Sequence, residues 1–265
     1  RLMGDGLLKP KHKILGIDIA GRVEAVGRNT KRFQPGDEVF GASKWGGFAE
    51  YACVAEDRLQ PKPAGTTLEA AAAVPVAAIS ALQGLRDKGR IQPGQKVLIN
   101  GASGGVGTFA VQIAKALGAE VTGVCSTKNL DMVRSIGADH VIDYTRVDFT
   151  RNGQLYDLIL DAAAYRSILD YRRAMSPKGI YVLIGGSMAQ FYQVMLLGPW
   201  ISMTGKKMGF MMAKVNKEDL ALLKEFLEVG KIVPVIDRRY PLSEVAEALR
   251  HLEKGHARGK VIITV

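Results

Sequence analysis

Cysteine is scarce in this 265-residue chain, which carries only Cys53 and Cys125. Two isolated thiols exclude a disulfide framework and a cysteine-rich metal lobe, and they suit a reducing cytosol. Histidine is nearly as rare: His12, His140, His251 and His256 show no ligand spacing, so each is expected at the surface or in packing. Long apolar runs are also missing. The longest, Ala70 to Leu82, is broken by Pro75 and Ser80 and falls short of a bilayer span. No membrane segment is expected; Arg1 is not an initiator methionine and no signal peptide precedes it, so the visible start is expected to be a boundary, and with the two lone thiols the expected location is cytoplasmic. Acidic residues are in deficit, 26 against 36 Lys and Arg, for a net charge of +10. The basic residues are spread along the chain and do not interleave with aromatics. That pattern argues against nucleic acid as a partner and fits a solvated surface that attracts a phosphorylated cofactor.

What the chain does have is glycine, 30 residues of it, within 47% hydrophobic content, a composition that fits a globular α/β protein. Lys96 to Ala119, KVLINGASGGVGTFAVQIAKALGA, organises the rest. Val97, Leu98 and Ile99 form a buried strand; Gly101, Gly104, Gly105 and Gly107 follow; then Val106, Ala110, Ile113 and Leu117 recur on one helical face, with Gly118 as the stop. Glycines there let the chain turn sharply, let backbone approach a pyrophosphate and let helix pack closely on strand. Free amides at the helix start would hold the anion, so Gly104, Gly105 and Val106 are candidate cofactor-binding residues.

Upstream, residues 14 to 54 read as short barrel strands broken by Gly and Pro: ILGIDIAGRVEAVG, RFQPGDEVFG and GGFAEYACV, with Val23, Ala25 and Phe40 on an inner face. From Thr67 the composition turns alanine-rich and helical, which places a domain boundary there. Downstream of the glycine loop, apolar runs at 121–125, 140–142, 157–160, 180–184 and 208–212 bring the strand total to six, counting 97–99. Helices alternate with them at 129–136 and 167–175, the latter ending in the turn Ser176-Pro177-Lys178-Gly179. This is the pattern of a doubly wound parallel sheet, with its ligand crevice at the carboxyl ends of the strands. Asn216 with Asp219 caps a helix over 217–229, Ser243 starts another, and residues 261–265 form a last strand.

In such folds an acidic residue about twenty positions past the loop binds the adenosine ribose. Here that place reads Val124-Cys125-Ser126-Thr127-Lys128-Asn129, with no carboxylate before Asp131. A hydroxyl and an ammonium would bind the extra phosphate of NADPH, so Ser126 and Lys128 favour that cofactor over NADH. Alternatively, Ser126 or Thr127 is a helix cap and Lys128 a solvated side chain.

Gly16-x-Asp18-x-Ala20-Gly21-x-Val23-x-x-Val26-Gly27, followed by Phe33-x-x-Gly36-Asp37-x-Val39-Phe40-Gly41, resembles the catalytic-domain signature of medium-chain dehydrogenases/reductases. The GASGGVG, VIDY, GKI and ARGKVII segments are similar to the zinc-independent quinone oxidoreductase branch. The resemblance implies an α/β architecture: a Rossmann doubly wound parallel sheet over residues 67–231, and a GroES-like β-barrel domain from 1–66 and 232–265. It also implies a homodimer formed through the Rossmann sheets. Family members carry further barrel strands ahead of the part matching Ile14, so the barrel, and with it the substrate cleft, is expected to be N-terminally incomplete here. Zinc is not expected: Gly16-Ile17-Asp18 stands where zinc enzymes carry Gly-His-Glu, and Ala70 to Ala77 lacks the second signature cysteine.

By the same resemblance, Tyr144 lies near the adenosine phosphate and Ser80 near the nicotinamide, while Ala162, Gly185, Gly186 and Ser187 line the cofactor crevice with Phe210 and Met211 further along. Ser80 could instead bond back within a helix, and Phe210 and Met211 could be core. Without a metal to polarise a carbonyl, the easier small-molecule electron acceptor is a quinone or an activated C=C, whose conjugation spreads the arriving charge. Tyr51 and Tyr165 are the candidates for a proton donor, each with an alternative as a packed aromatic. Two rival functions remain open: an NAD(P)-dependent alcohol or carbonyl dehydrogenase, and a non-catalytic NADPH-binding protein.

Overall fold

A computed structural model of the chain describes residues 12–203 and 205–265. In chain order, three short strands, β1 (Asp18–Arg22), β2 (Glu38–Ala42) and β3 (Leu59–Pro61), precede helices α1 (Leu68–Ala72) and α2 (Pro75–Gln83). Strand β4 (Lys96–Asn100), α3 (Gly105–Ala116), β5 (Glu120–Cys125), α4 (Leu130–Ser135), β6 (His140–Asp143) and β7 (Tyr156–Asp161) follow. Next come α5 (Ile168–Ala174), β8 (Met175–Leu183), α6 (Met188–Ser202) and β9 (Lys207–Phe210). The chain closes with α7 (Lys217–Glu228), β10 (Ile236–Pro241), α8 (Val245–Glu253) and β11 (Lys260–Thr264).

These elements form two compact units. The first draws on the chain up to Ile79, on Val215–Gly230 and on Ile236–Val265; the second holds Ser80–Lys214 and Lys231–Val235. The division falls inside α2 rather than at Thr67 for a local reason. The Val76 amide donates to Asp18 Oδ1 at 2.9 Å, and the Lys260 ammonium donates to Asp18 Oδ2 at 3.0 Å, so the start of α2 is fastened to β1 and β11. Gln60 Nε2 donates to the Lys217 carbonyl at 2.8 Å and ties α7 to the same unit.

In the first unit β1, β2 and β3 form an antiparallel sheet, and β10 pairs with β11 in parallel. Phe40 is fully buried as expected, but Ala25 is exposed. The reason is that β1 ends at Arg22: Val23 exchanges bonds with Asp37 and Gly36, and the chain then leaves the sheet. The expected strand GGFAEYACV is irregular, and the third strand forms at Leu59–Pro61 instead.

The second unit is a six-stranded parallel sheet in the order β6-β5-β4-β7-β8-β9. Val97, Leu98 and Ile99 of β4 are buried on both faces, which explains their unbroken apolar run. Chain order reverses at the β4–β7 pair, and a ligand crevice belongs outside the carboxyl ends at such a point. On one face Leu98, Ile159, Tyr181 and Leu183 pack with Tyr171 of α5 and Val194 and Ile201 of α6. The expected turn at 176–179 lies within β8, where it leaves the ladder between the Tyr156–Met175 and Leu158–Ile180 pairs. Among the described residues, no helix is long and apolar enough to cross a membrane.

Candidate functional site

Six strand ends meet at the carboxyl edge of the parallel sheet. At the first, β4 gives way to a turn at 101–104 and then α3. Gly107 is required there. A Cβ on it would stand 2.0 Å from the Gly101 carbonyl oxygen, so only hydrogen lets the first turn of α3 seat on the loop. The helix end itself is left open. Thr67, Ser167, Ser187 and Asn216 seal α1, α5, α6 and α7 by accepting from a backbone amide, whereas α3 begins at Gly104 with no side-chain cap and no acid in its first turn. Its first amides therefore have no acceptor within the helix, and the helix dipole adds partial positive charge.

At the next strand end, Ser126 follows β5 and lies beside the glycine loop through a residue the sequence did not single out. Asn129 Nδ2 donates to Ser103 Oγ at 3.0 Å and to Ser126 Oγ at 3.3 Å. Asn129 Oδ1 is buried without a partner, a cost of about 1–3 kcal/mol, so the two serines are held at some expense to stability. Asp143, at the end of β6, fixes the other side of this turn. It accepts from Thr127 Oγ1 at 2.5 Å and from Thr145 Oγ1 at 2.7 Å, and these hydroxyls hold its carboxyl below the usual carboxylate range. Lys128 is exposed on the turn, and Asp131 is drawn aside to Arg134 at 2.9 Å. Cys125 is buried and its thiol is pushed up to about 11, chiefly by desolvation, so it is an inert wall.

The remaining candidates distribute as follows. Ala162 follows β7 and donates its amide to the Asn100 carbonyl; Ala164 pairs with the segment of Gly185 and Gly186 after β8. Gly185 has no room for a Cβ, which would meet the Ala162 carbonyl oxygen at 2.5 Å. Ser187 is the cap of α6, accepting from Ala189 and donating to Gln190. Met211 is buried, and Phe210 packs on Phe191 at 4.4 Å. Ser80 is buried on α2. Tyr51 belongs to the first unit and is 74% exposed; Tyr165 belongs to the second, and its hydroxyl accepts from Arg166 Nε at 3.3 Å.

Asp161, which no sequence signal picked out, lies beneath this edge with no exposed surface. It accepts from Asn100 Nδ2 and the Tyr181 hydroxyl, both at 2.8 Å, and from the Ala163 amide at 3.2 Å. Desolvation outweighs these donors and raises its carboxyl to about 6. A cavity of about 230 Å³ lies at the opposite, amino edge, lined by Lys96, Glu120, Thr122, His140, Ile142 and Tyr156 among others. The open end of α3 and the glycine loop lie at the carboxyl edge instead.

A catalytic zinc does not fit the described residues. Ile17 has no donor atom in its side chain, and the Asp18 carboxylate is occupied by the Val76 amide and Lys260. Among the described residues, no three His, Cys, Asp or Glu side chains stand together as a metal site would need. A dinucleotide phosphate does fit: an uncapped helix end, two serine hydroxyls and a free-standing lysine on the adjacent turn are anion ligands.

Residues 3–64 match the family model described as the alcohol dehydrogenase GroES-like domain, and residues 136–263 match the one described as zinc-binding dehydrogenase. The mouse mitochondrial NAD(P)H oxidoreductase RTN4IP1 is 34% identical over 95% of this chain and 70% of its own length. The trans-enoyl reductase pgmF of Aspergillus terreus is 33% identical over 94% of this chain and 76% of its own. Among solved structures, the quinone oxidoreductase of Coxiella burnetii superposes with a TM-score of 0.86 at 27% identity, over 95% of this chain and 79% of that one. The fold, a Rossmann-like parallel sheet with a GroES-like portion, and these relatives together establish that the chain belongs to the medium-chain dehydrogenase/reductase superfamily, in its quinone-oxidoreductase-like branch.

Proposed function

We propose that the chain is a zinc-independent, NADPH-dependent oxidoreductase that passes hydride to a quinone or an activated C=C. The observation that carries this is the open N-terminus of α3, with Ser126 on the turn that Asn129 ties to its loop and Lys128 beyond it. Both nearby carboxylates are ionised but engaged elsewhere, Asp143 by threonine hydroxyls and Asp131 by Arg134, which leaves Lys128 as the charge offered to a 2′-phosphate. When bound, the nicotinamide supplies the hydride. The chain's residues position and exclude: α3 amides hold the pyrophosphate, the 162–164 and 185–187 segments wall the crevice, and Cys125 and Met211 keep apolar surface behind it. The relatives named as NAD(P)H oxidoreductase and trans-enoyl reductase support the same chemistry.

NADPH oxidation with a panel of quinones and enones, insensitive to chelators, is the expected result. K128E should weaken NADPH about ten- to a hundredfold while leaving NADH nearly unchanged, since a phosphate contact of this kind is worth about 1.5–3 kcal/mol. Turnover of simple alcohols and ketones alone would favour the dehydrogenase alternative, and tight binding without any turnover the non-catalytic one. The lone cysteines support a reducing compartment, such as the cytoplasm.

A homodimer is part of the same proposal. Strand β9 is the outer strand of the sheet, and α6 beside it turns Met188, Tyr192, Met195, Leu196 and Trp200 outward, followed by Met203; Trp200 is 73% and Met203 82% exposed. An open strand edge continuous with an apolar helix face is matched by a second copy about a two-fold axis. L196E is expected to halve the mass seen in sedimentation equilibrium; an unchanged mass would remove this face from the interface.

A further inference from the structure

Tyr144 and Tyr165 follow β6 and β7, which are not neighbours, since β5 and β4 lie between them. Their rings nevertheless touch, with centroids 5.8 Å apart at 50°. The two side chains must therefore lean toward each other across the ends of β5 and β4, where the Ser126 turn and the glycine loop are. Each remains half uncovered, Tyr144 at 43% and Tyr165 at 46% exposure.

Behind Tyr165 stands a built support. The Arg166 guanidinium lies 5.2 Å from the Tyr165 ring centre and 5.8 Å from that of the buried Phe149, and its Nη1 donates to Asp148 Oδ2 at 2.9 Å. Asp148 is itself held by Thr150, whose hydroxyl and amide both donate to Oδ1. A cation on one side of an aromatic ring draws electron density toward itself and leaves the other side better suited to an electron-rich flat partner. The Tyr165 hydroxyl is a poor proton donor in this setting: its oxygen accepts from Arg166, and burial pushes its pKa up rather than toward neutrality.

We propose that Tyr165, backed by Arg166 and joined by Tyr144, forms an aromatic wall that stacks the adenine ring of the dinucleotide and takes no part in proton transfer. This rests on the dinucleotide-binding proposal above and assigns Tyr165 to the adenosine end of the site. The flat ligand it suits is a purine, because the wall adjoins the turn that would take the adenosine phosphate.

The test uses the full chain, with NADPH and adenosine 2′,5′-bisphosphate as probes in equilibrium titrations. The second probe has the base and both phosphates but no nicotinamide. Y165A is expected to weaken both about tenfold, within the range of a lost base–aromatic stack, while Y165F, which retains the ring, binds both with wild-type affinity. R166M retains the ring without the cation and should weaken both by a smaller factor. Unchanged affinities in Y165A would overturn the wall, as would loss of turnover in Y165F with Kd intact, which would restore the proton donor. A wild-type protein that binds neither probe would instead overturn the dinucleotide proposal itself, and the wall with it.

Discussion

Alanine at Gly107 is expected to weaken NADPH binding at least about a hundredfold and to lower stability by about 3 kcal/mol. The cause is steric. The added methyl would sit 2.0 Å from the Gly101 carbonyl oxygen and 2.8 Å from Ala102 Cα, and both are backbone atoms that no rotamer change can move. The helix must then lift from the loop, and overpacking of this kind costs about 1–3 kcal/mol before the phosphate cradle is counted. G104A is the control. A Cβ there would approach the same oxygen at 3.4 Å, an ordinary contact, so its melting temperature should stay near wild type. Equal melting temperatures for G107A and G104A would show that the close approach does not govern the loop.

The second large effect concerns pH. Asp161 is raised to about 6 in the folded protein from an ordinary value of 3.8, with desolvation the main cause. An acid whose folded pKa is raised binds more protons folded than unfolded, so its contribution is stabilising at low pH and is lost as pH climbs toward 6. About two pKa units correspond to about 3 kcal/mol. D161N carries no titrating group there. Its stability relative to wild type should therefore rise by up to about 3 kcal/mol between pH 4 and pH 7, read as the difference of two urea unfolding curves at each pH. Asp139, Asp143, Asp148 and Asp170, all lowered, give the opposite slope, but both proteins share them and they cancel. A gap that stays constant with pH would mean that Asp161 is ionised at no cost.

The parallel sheet and its loop were legible because each left a local mark. A strand buried on both faces has to be a continuous apolar run, and Val97 to Ile99 is one. Gly107 is legible for the same reason: a close approach admits one residue type. The rest depends on partners distant in sequence. Asp161 looks like any polar residue closing a strand, and its burial arises only when Tyr181 and Asn100 fold over it. Asn129 reads as a helix-start residue until Ser103 and Ser126 arrive on either side. Helix α6 shows no polar face to set a period, since one side packs on the sheet and the other carries Leu196 and Trp200 outward. GGFAEYACV has a strand's composition, yet among the described residues it finds no ladder to join, and β2 pairs with Leu59–Pro61 instead.

The Asp18–Lys260 ion pair spans nearly the whole sequence, and the unit it fastens is collected from three separate stretches. The parallel sheet, by contrast, lies almost entirely within Ser80–Lys214. During synthesis the strands of the sheet can therefore pair before Lys260 is made, and although β1 meets β2 early, its Asp18 side chain waits longest for its partner. Closing so long a loop is the slowest kind of contact to form. The parallel sheet would be in place first, and the unit collected from three stretches would be the last to finish folding.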